Sequence, residues 1–332
     1  MFCLCCSPAP SGFKAEGLAP PVMDIANAMR RRASYDRRKD YSAAPATHPE
    51  RTDLTIRNVR AVTRDPHLGE IAATDVHIRD GEIVHLGPLT DAAADEIDGS
   101  GLTALPGLIA GHRHLWTEVA GSAETADARD LYRVLRLALL DELAAGVTCI
   151  HHCGVDIAGA QAETALLALI DSGLRGLFSA PASISERALR ELHATWFTPP
   201  QDHLVELGLA AADNAAPDFP ELALLPMTGE HSASESGPPA QPGHDAAALG
   251  MEPWIGSLSP GKRADLILIR GDRPWRERGG APITKDSVDM VCIDGRLRKR
   301  NGVLLDPNEG LIRSEGAETI ARLRSRTGPP LS

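Results

Sequence analysis

Leu105-Pro106-Gly107-Leu108-Ile109-Ala110-Gly111-His112-Arg113-His114-Leu115-Trp116 is an apolar run that leaves a Pro-Gly turn and delivers two histidines separated by one residue. A β-strand places side chains at i and i+2 on one face. A strand over Leu108 to His114 therefore projects His112 and His114 together and turns Arg113 the other way. Two imidazoles on one face begin a metal site. The competing reading is a pair of ordinary strand histidines, and the rest of the chain has to decide between them.

Downstream, helix and strand patterns alternate. Leu131, Val134, Leu135, Ala138 and Leu139 fall at helical spacing within Leu131 to Ala145, Gly146 ends that helix, and Val147-Thr148-Cys149-Ile150 reads as a buried strand. Gln161 to Ser172 repeats the helix, Gly173 stops it, and Leu174 to Phe178 is the next strand. Glu186 to His193 predicts a third helix, Pro199-Pro200 a turn, and Leu204 to Leu209 a short strand. Strand following helix following strand means a parallel sheet with right-handed crossovers. A complete eight-unit barrel takes about 250 residues, whereas about 145 separate Pro106 from Trp254, room for roughly four or five units. The stretch 211–248, rich in Pro, Gly, Ser and Ala, reads as a low-complexity linker where later strands are expected, so the barrel is incomplete through an internal deletion.

The two flanks carry strand patterns of their own. Val76 to Arg79 and Ile83 to Leu86 are joined by Asp80-Gly81, while Val291 to Ile293 and Arg296 to Lys299 are joined by Asp294-Gly295. Asp-Gly between alternating runs signals a hairpin. Leu54 to Val59 and Ala264 to Ile269 supply further strands. Neither flank has enough strands to bury its apolar face alone, so residues 53–105 pair with 256–305.

Five stretches resemble the amidohydrolase superfamily, most closely its cytosine-deaminase and chlorohydrolase-like branch. They are the Pro106-Gly107 to His114 strand, Ile255-Gly256-Ser257-Leu258-Ser259-Pro260-Gly261-Lys262-Arg263-Ala264-Asp265-Leu266-Ile267-Leu268-Ile269, Asp80 to Val84, Ala145 to Thr148, and Val291 to Arg296. The resemblance runs from Asp53 to about Leu305. It implies an α/β fold: an incomplete (β/α) TIM-like barrel over 106–255 plus a small β-sandwich built from the N- and C-terminal segments. It further implies a divalent metal ion, zinc first and iron or manganese as alternatives. His112 and His114 would hold the ion, which would polarise a water for attack on a C–N or C–Cl carbon of a small molecule.

In the family the first-strand histidines are joined by histidines on the fifth and sixth strands and an aspartate on the eighth. Those segments coincide with the deletion, and no motif marks an acid/base carboxylate. His231, after the apolar run Leu222 to Leu225, is the candidate third metal ligand; His244 sits in a Pro-Gly-rich segment and reads as exposed. His151 and His152 end a strand, so one of them can face the barrel mouth, and His152 is taken as a substrate contact with Trp116, whose ring can equally pack in the core. Asp156 and Glu118 are carboxylates near the strand ends. Cys149 and Cys153 read as small buried hydrophobes rather than zinc ligands.

Composition narrows the function classes. With 332 residues and a formal charge of -11, the chain is expected to be an acidic, soluble protein without a nucleic-acid partner. No apolar run suits a membrane span, and the six cysteines match no secreted disulfide framework, so a cytoplasmic location with reduced thiols follows. Residues 1–52, with Pro, Ala and Ser clusters and the basic groups Arg30 to Arg32 and Arg37 to Lys39, read as a disordered extension; 306–332 reads as a partly helical tail. Two functions remain: a metal-dependent hydrolase or deaminase acting on a non-peptide C–N bond of a small molecule, with room for homo-oligomers, or a catalytically inactive remnant that depends on a partner.

Overall fold

The computed structural model describes residues 22–89, 93–120, 126–153, 161–180, 184–198, 203–209, 225–226, 244–271 and 283–327. Helix α1 (Val22–Tyr41) precedes β1 (Leu54–Val62), β2 (Glu70–Arg79), β3 (Glu82–Leu86), β4 (Asp95–Asp98) and β5 (Leu102–Pro106). The central part comprises β6 (Leu108–Arg113), α2 (Leu115–Ala120), α3 (Ala128–Ala144), β7 (Val147–Cys153), α4 (Ala162–Ser172), β8 (Arg175–Ala180), α5 (Glu186–Trp196), β9 (Val205–Leu209), β10 (Leu225–Pro226) and α6 (His244–Ala248). The chain then returns through β11 (Leu266–Arg270), β12 (Val288–Ile293), β13 (Arg296–Arg300), β14 (Val303–Leu304) and α7 (Glu309–Thr327).

The two flanks merge, as their strand patterns require, where β11 runs antiparallel to β5. The product is one continuous sheet in the order β14-β13-β12-β11-β5-β1-β2-β3, with β4 beside β1, rather than the two separate layers of a sandwich. Apolar side chains from β1, β2, β3, β11, β12 and β13 meet in a single core, so the sheet is rolled around one face. Both hairpins turn on Asp-Gly with positive φ at each residue, 49° and 80° at Asp80-Gly81 and 54° and 73° at Asp294-Gly295. Positive φ at both central positions is the turn whose twist matches the flanking strands.

Residues 263–265 lie between these hairpins and tie them to the barrel half. The Ala264 N–H donates to the Gly81 carbonyl at 2.8 Å. The buried Asp265 carboxylate accepts Arg175 Nε at 2.7 Å and Nη2 at 3.0 Å, and the Asp294 N–H at 2.9 Å. Along β11, Leu266 and Leu268 enter the rolled core while Ile267 and Ile269 pack against the helices of the other sheet. A strand buried on both faces explains the unbroken apolar run of the motif.

The second sheet is parallel throughout and open, in the order β10-β9-β8-β7-β6. Its crossovers are α3, α4 and α5. Asp127 caps α3 by accepting the Asp130 N–H, Ser185 caps α5 by accepting the Ala188 N–H, and Gly173 ends α4 in the left-handed conformation. One face, with Leu108, Ala110, Ile150 and Phe178, packs on the helices. The other, with Ile109, Cys149 and Leu177, is covered by Ala246, Leu249, Met251 and Ile255.

Two readings of the sequence need correction. Residues 22–41 are helical rather than disordered: Ser34 donates to Glu163 at 2.7 Å, Arg31 to the Thr195 carbonyl at 2.6 Å, and Arg38 pairs with the buried Asp171, so part of each basic group is held by the barrel half while Arg30, Arg32 and Lys39 stay exposed. Residues 1–21 lie outside the described residues. Within the stretch read as a linker, β10 extends the parallel sheet and Ala246 of α6 is fully buried, because short apolar side chains there still cover the inner sheet face. The tail, read as partly helical, contains α7, whose Ile312 and Leu323 are buried and whose Arg322 pairs with Asp130.

Candidate metal centre

Strand β6 reaches its histidines through a bulge. Ala110 pairs with Ile150 and Arg113 with His152, three steps on β6 against two on β7, which exchanges the two faces of β6 beyond Ala110. Arg113 thereby turns to the helices, where Nη2 meets Glu118 Oε2 at 2.5 Å and Glu142 Oε1 at 2.8 Å. The His112 backbone belongs to β6, and its side chain lies outside the described residues.

His114, half-buried, closes the strand and opens α2. Its N–H donates to the Glu118 carboxylate at 3.0 Å, and its carbonyl accepts the Glu118 N–H at 2.9 Å. Burial pushes the Glu118 carboxyl up, but the hydrogen bonds and charge of Arg113, with the His114 N–H, hold it below the ordinary glutamate range. Glu118 is thus an ionised helix cap and ion-pair partner rather than a spare base.

Strand β7 carries the histidine pair. His151 Nε2 lies 2.8 Å from Ser179 Oγ on β8, and Cys153 Sγ lies 3.5 Å from the same nitrogen. By alternation from Cys149, these groups occupy the inner face. His152 occupies the other: its ring sits 5.8 Å from that of Phe178, which belongs to the helix-side core, and its Nδ1 lies 3.4 Å from the Arg113 carbonyl. His151 therefore lies on the inner face and His152, the residue expected to contact substrate, on the helix side; alternation counted from the apolar Ile150 is the signal that distinguishes the two. Trp116, expected either to contact substrate or to pack in the core, packs in the helix-side core at 6% exposure.

His231 and Asp156 lie outside the described residues; His244 begins α6, and its side chain is likewise outside them. Cys149 packs in the core with its Sγ 3.7 Å from Met251 Sδ, as a small hydrophobe, and Cys149, Cys153 and Cys292 are free thiols. Imidazole and thiolate donors suit zinc. Among the described residues, however, no three His, Cys, Asp or Glu side chains are grouped to hold a metal ion. A catalytic zinc site takes three protein ligands and an open position. The described donors stop short of that set.

No protein-family model matches the chain. A stretch of 85 residues, 24% of this chain, is 35% identical to 5-methylthioadenosine/S-adenosylhomocysteine deaminase from Symbiobacterium thermophilum, and it spans 20% of that protein's length. Among solved structures, a zinc-bound adenosine deaminase from Xanthomonas campestris aligns with a TM-score of 0.62 at 16% identity, covering 84% of this chain and 100% of that one. Atrazine chlorohydrolase TrzN from Arthrobacter aurescens TC1, complexed with zinc, aligns with a TM-score of 0.59 at 15% identity over 80% of this chain and 100% of that one. At these identities the likeness shows the fold alone, and the parallel sheet of this chain is open among the described residues. No helix among the described residues is long and apolar enough to cross a membrane.

Proposed function

We propose that the chain is a metal-dependent hydrolase or deaminase of the amidohydrolase type, acting on a non-peptide C–N bond of a small heterocyclic molecule in the cytoplasm. The observation that carries this reading is the bulged β6, which turns Arg113 into the helical layer at the C-terminal end of the parallel strands; alternation about Arg113 then gives the proposed inner-face placement of His112 and His114. Ligand sites of parallel α/β folds lie at those ends. His112 and His114 are the proposed first two ligands of a divalent cation, zinc first, and His231 the third. A cation held there would polarise water and substrate. His151, hydrogen-bonded to Ser179, would contact the substrate from β7. The deaminase activity of the curated relative and the zinc in the aligned structures support this assignment.

Metal analysis of the purified chain tests it. About one equivalent of zinc, iron or manganese per chain is expected after supplementation, lost in His112→Ala and His114→Ala, together with ammonia release from adenosine-type or triazine-type substrates. Less than about a tenth of an equivalent would remove catalysis and favour a second reading, an inactive remnant or partner-dependent fragment. The open sheet, with five parallel strands described, motivates that alternative. A homo-oligomer that completes the sheet would show as a multiple of the chain mass in light scattering.

A further inference from the structure

Helix α1 is fastened to the helical layer by polar groups. Among its described side chains the buried ones are Asn27 and Ser34, both polar. Ser34, 1% exposed, donates to Glu163 Oε1 of α4 at 2.7 Å. Arg37 Nη2 donates to Ser34 Oγ at 2.8 Å and to Glu163 Oε2 at 3.0 Å. Trp196 of α5 donates from Nε1 to the same Glu163 Oε1 at 3.1 Å, and the Tyr35 ring stands edge-on to Trp196 with centroids 5.2 Å apart. Arg31 and Arg38 add the Thr195 carbonyl and Asp171. The end of the helix is pinned separately: the Tyr41 carbonyl accepts Arg133 Nε at 2.6 Å, and the Ala43 N–H donates to Glu315 Oε1 at 3.0 Å. A contact made mainly of polar groups has the character of a reversible interface rather than of a core.

Ser34 closes the run Arg30-Arg31-Arg32-Ala33-Ser34, with arginines two, three and four positions ahead of the hydroxyl. An acidic cleft selects such a segment by charge complementarity. On a helix the residues at i−4, i−3, i+3 and i+4 stand beside position i, and around Ser34 all four are arginine: Arg30, Arg31, Arg37 and Arg38. Three of these four are the cations that hold α1 in place. A phosphoserine carries about −1.5 to −2 charge and three strong acceptor oxygens. On the docked helix that charge would sit where the Ser34 hydroxyl now meets a carboxylate, and on the free helix it would sit among arginines.

We propose that Ser34 is a phosphorylation site and that its modification releases α1 from the helical layer. A serine kinase that reads the preceding arginines transfers the γ-phosphoryl group of ATP: the bond from γ-phosphorus to the bridging oxygen breaks, the bond to Ser34 Oγ forms, the hydroxyl proton leaves and ADP departs. Transfer takes place on the undocked helix, because the docked one hides the hydroxyl. The phosphoryl group then blocks return in two ways. It repels Glu163, and it draws Arg31, Arg37 and Arg38 away from the Thr195 carbonyl, Glu163 and Asp171, since guanidinium–phosphate hydrogen bonds are among the strongest available to these side chains. The helix swings about its pinned end at Tyr41 and uncovers Glu163 and Trp196. This inference rests on the contacts of α1 and stands whether or not the proposed metal centre does.

The full-length chain, incubated with magnesium ATP and the catalytic subunit of cyclic-AMP-dependent protein kinase, provides the test. Peptide mass spectrometry is expected to place a phosphoryl group on Ser34, absent from that peptide in Ser34→Ala. Glu163→Gln keeps the shape of its side chain but loses the charge that faces Arg37, so it should be modified about tenfold faster than wild type. Amide hydrogen exchange reads the release: exchange along α1 should rise about tenfold or more on phosphorylation while α4 and β7 stay unchanged, and phosphatase treatment should restore it. Failure to modify Ser34 in both wild type and Glu163→Gln, equal rates in the two chains, or a phosphorylated chain whose α1 exchanges as slowly as before would overturn the proposal.

Discussion

Asp265→Ala should be among the most damaging single changes in this chain. Asp265 is 3% exposed and accepts two hydrogen bonds from Arg175 and one from the Asp294 N–H. Removing it strands a guanidinium whose side chain is only 14% exposed, with Asp294 Oδ1 left 3.4 Å away as a poorer partner. Breaking a buried pair from one side costs about 3–5 kcal/mol, and the residual Asp294 contact puts the expectation near the lower end, about 3 kcal/mol. For a chain of 332 residues, whose unfolding entropy is about 0.7 kcal/mol/K, that corresponds to a fall in Tm of about 4 °C. Urea titration followed by circular dichroism measures the loss directly. The Arg175→Met/Asp265→Ala double variant should be less unstable than the sum of the single changes, since the stranded charge is gone. A loss under about 1 kcal/mol, or strict additivity in the cycle, would refute the assignment of Asp265 as the clamp between the rolled sheet and the barrel half.

Two further outcomes follow from the geometry. A Cβ at Gly107 would stand 2.0 Å from Thr148 Oγ1, so Gly107→Ala should destabilise by about 1–3 kcal/mol in denaturant titration, with partial rescue by Thr148→Gly; a neutral Gly107→Ala contradicts the close approach of the β5–β6 joint to β7. Glu118 has a folded pKa below its ordinary value, so its stabilising contribution is complete above the ordinary glutamate range and disappears as pH falls through the folded value. Acid unfolding of Glu118→Gln should therefore depend less steeply on pH than that of the wild type, and parallel curves would argue that the carboxylate is not held by Arg113.

Much of the fold is legible because its determinants are local. The helices at Ala128–Ala144 and Ala162–Ser172 announce themselves through apolar spacing and the glycines that stop them, and both hairpins through Asp-Gly. Helix α1 is not legible in this way. Its arginines look like a solvated run until Glu163 and Asp171, more than 120 positions away, are folded against them. The candidate site divides similarly. His112-Arg113-His114 is recognisable by alternation alone, but the choice between His151 and His152 is made by which face of β7 meets the helices.

The amino-acid order alone determined the repeating strand-helix units, the turns and the histidine pair, because hydrophobic period and backbone preference act over a few residues. Only the tertiary structure decided that Arg113 faces the helical layer, that Asp265 clamps two sheets, and that Arg38 of the N-terminal helix meets the buried Asp171. Those outcomes depend on a bulge register and on contacts between segments far apart in the chain, where packing and the burial of charge, rather than local propensity, set the geometry.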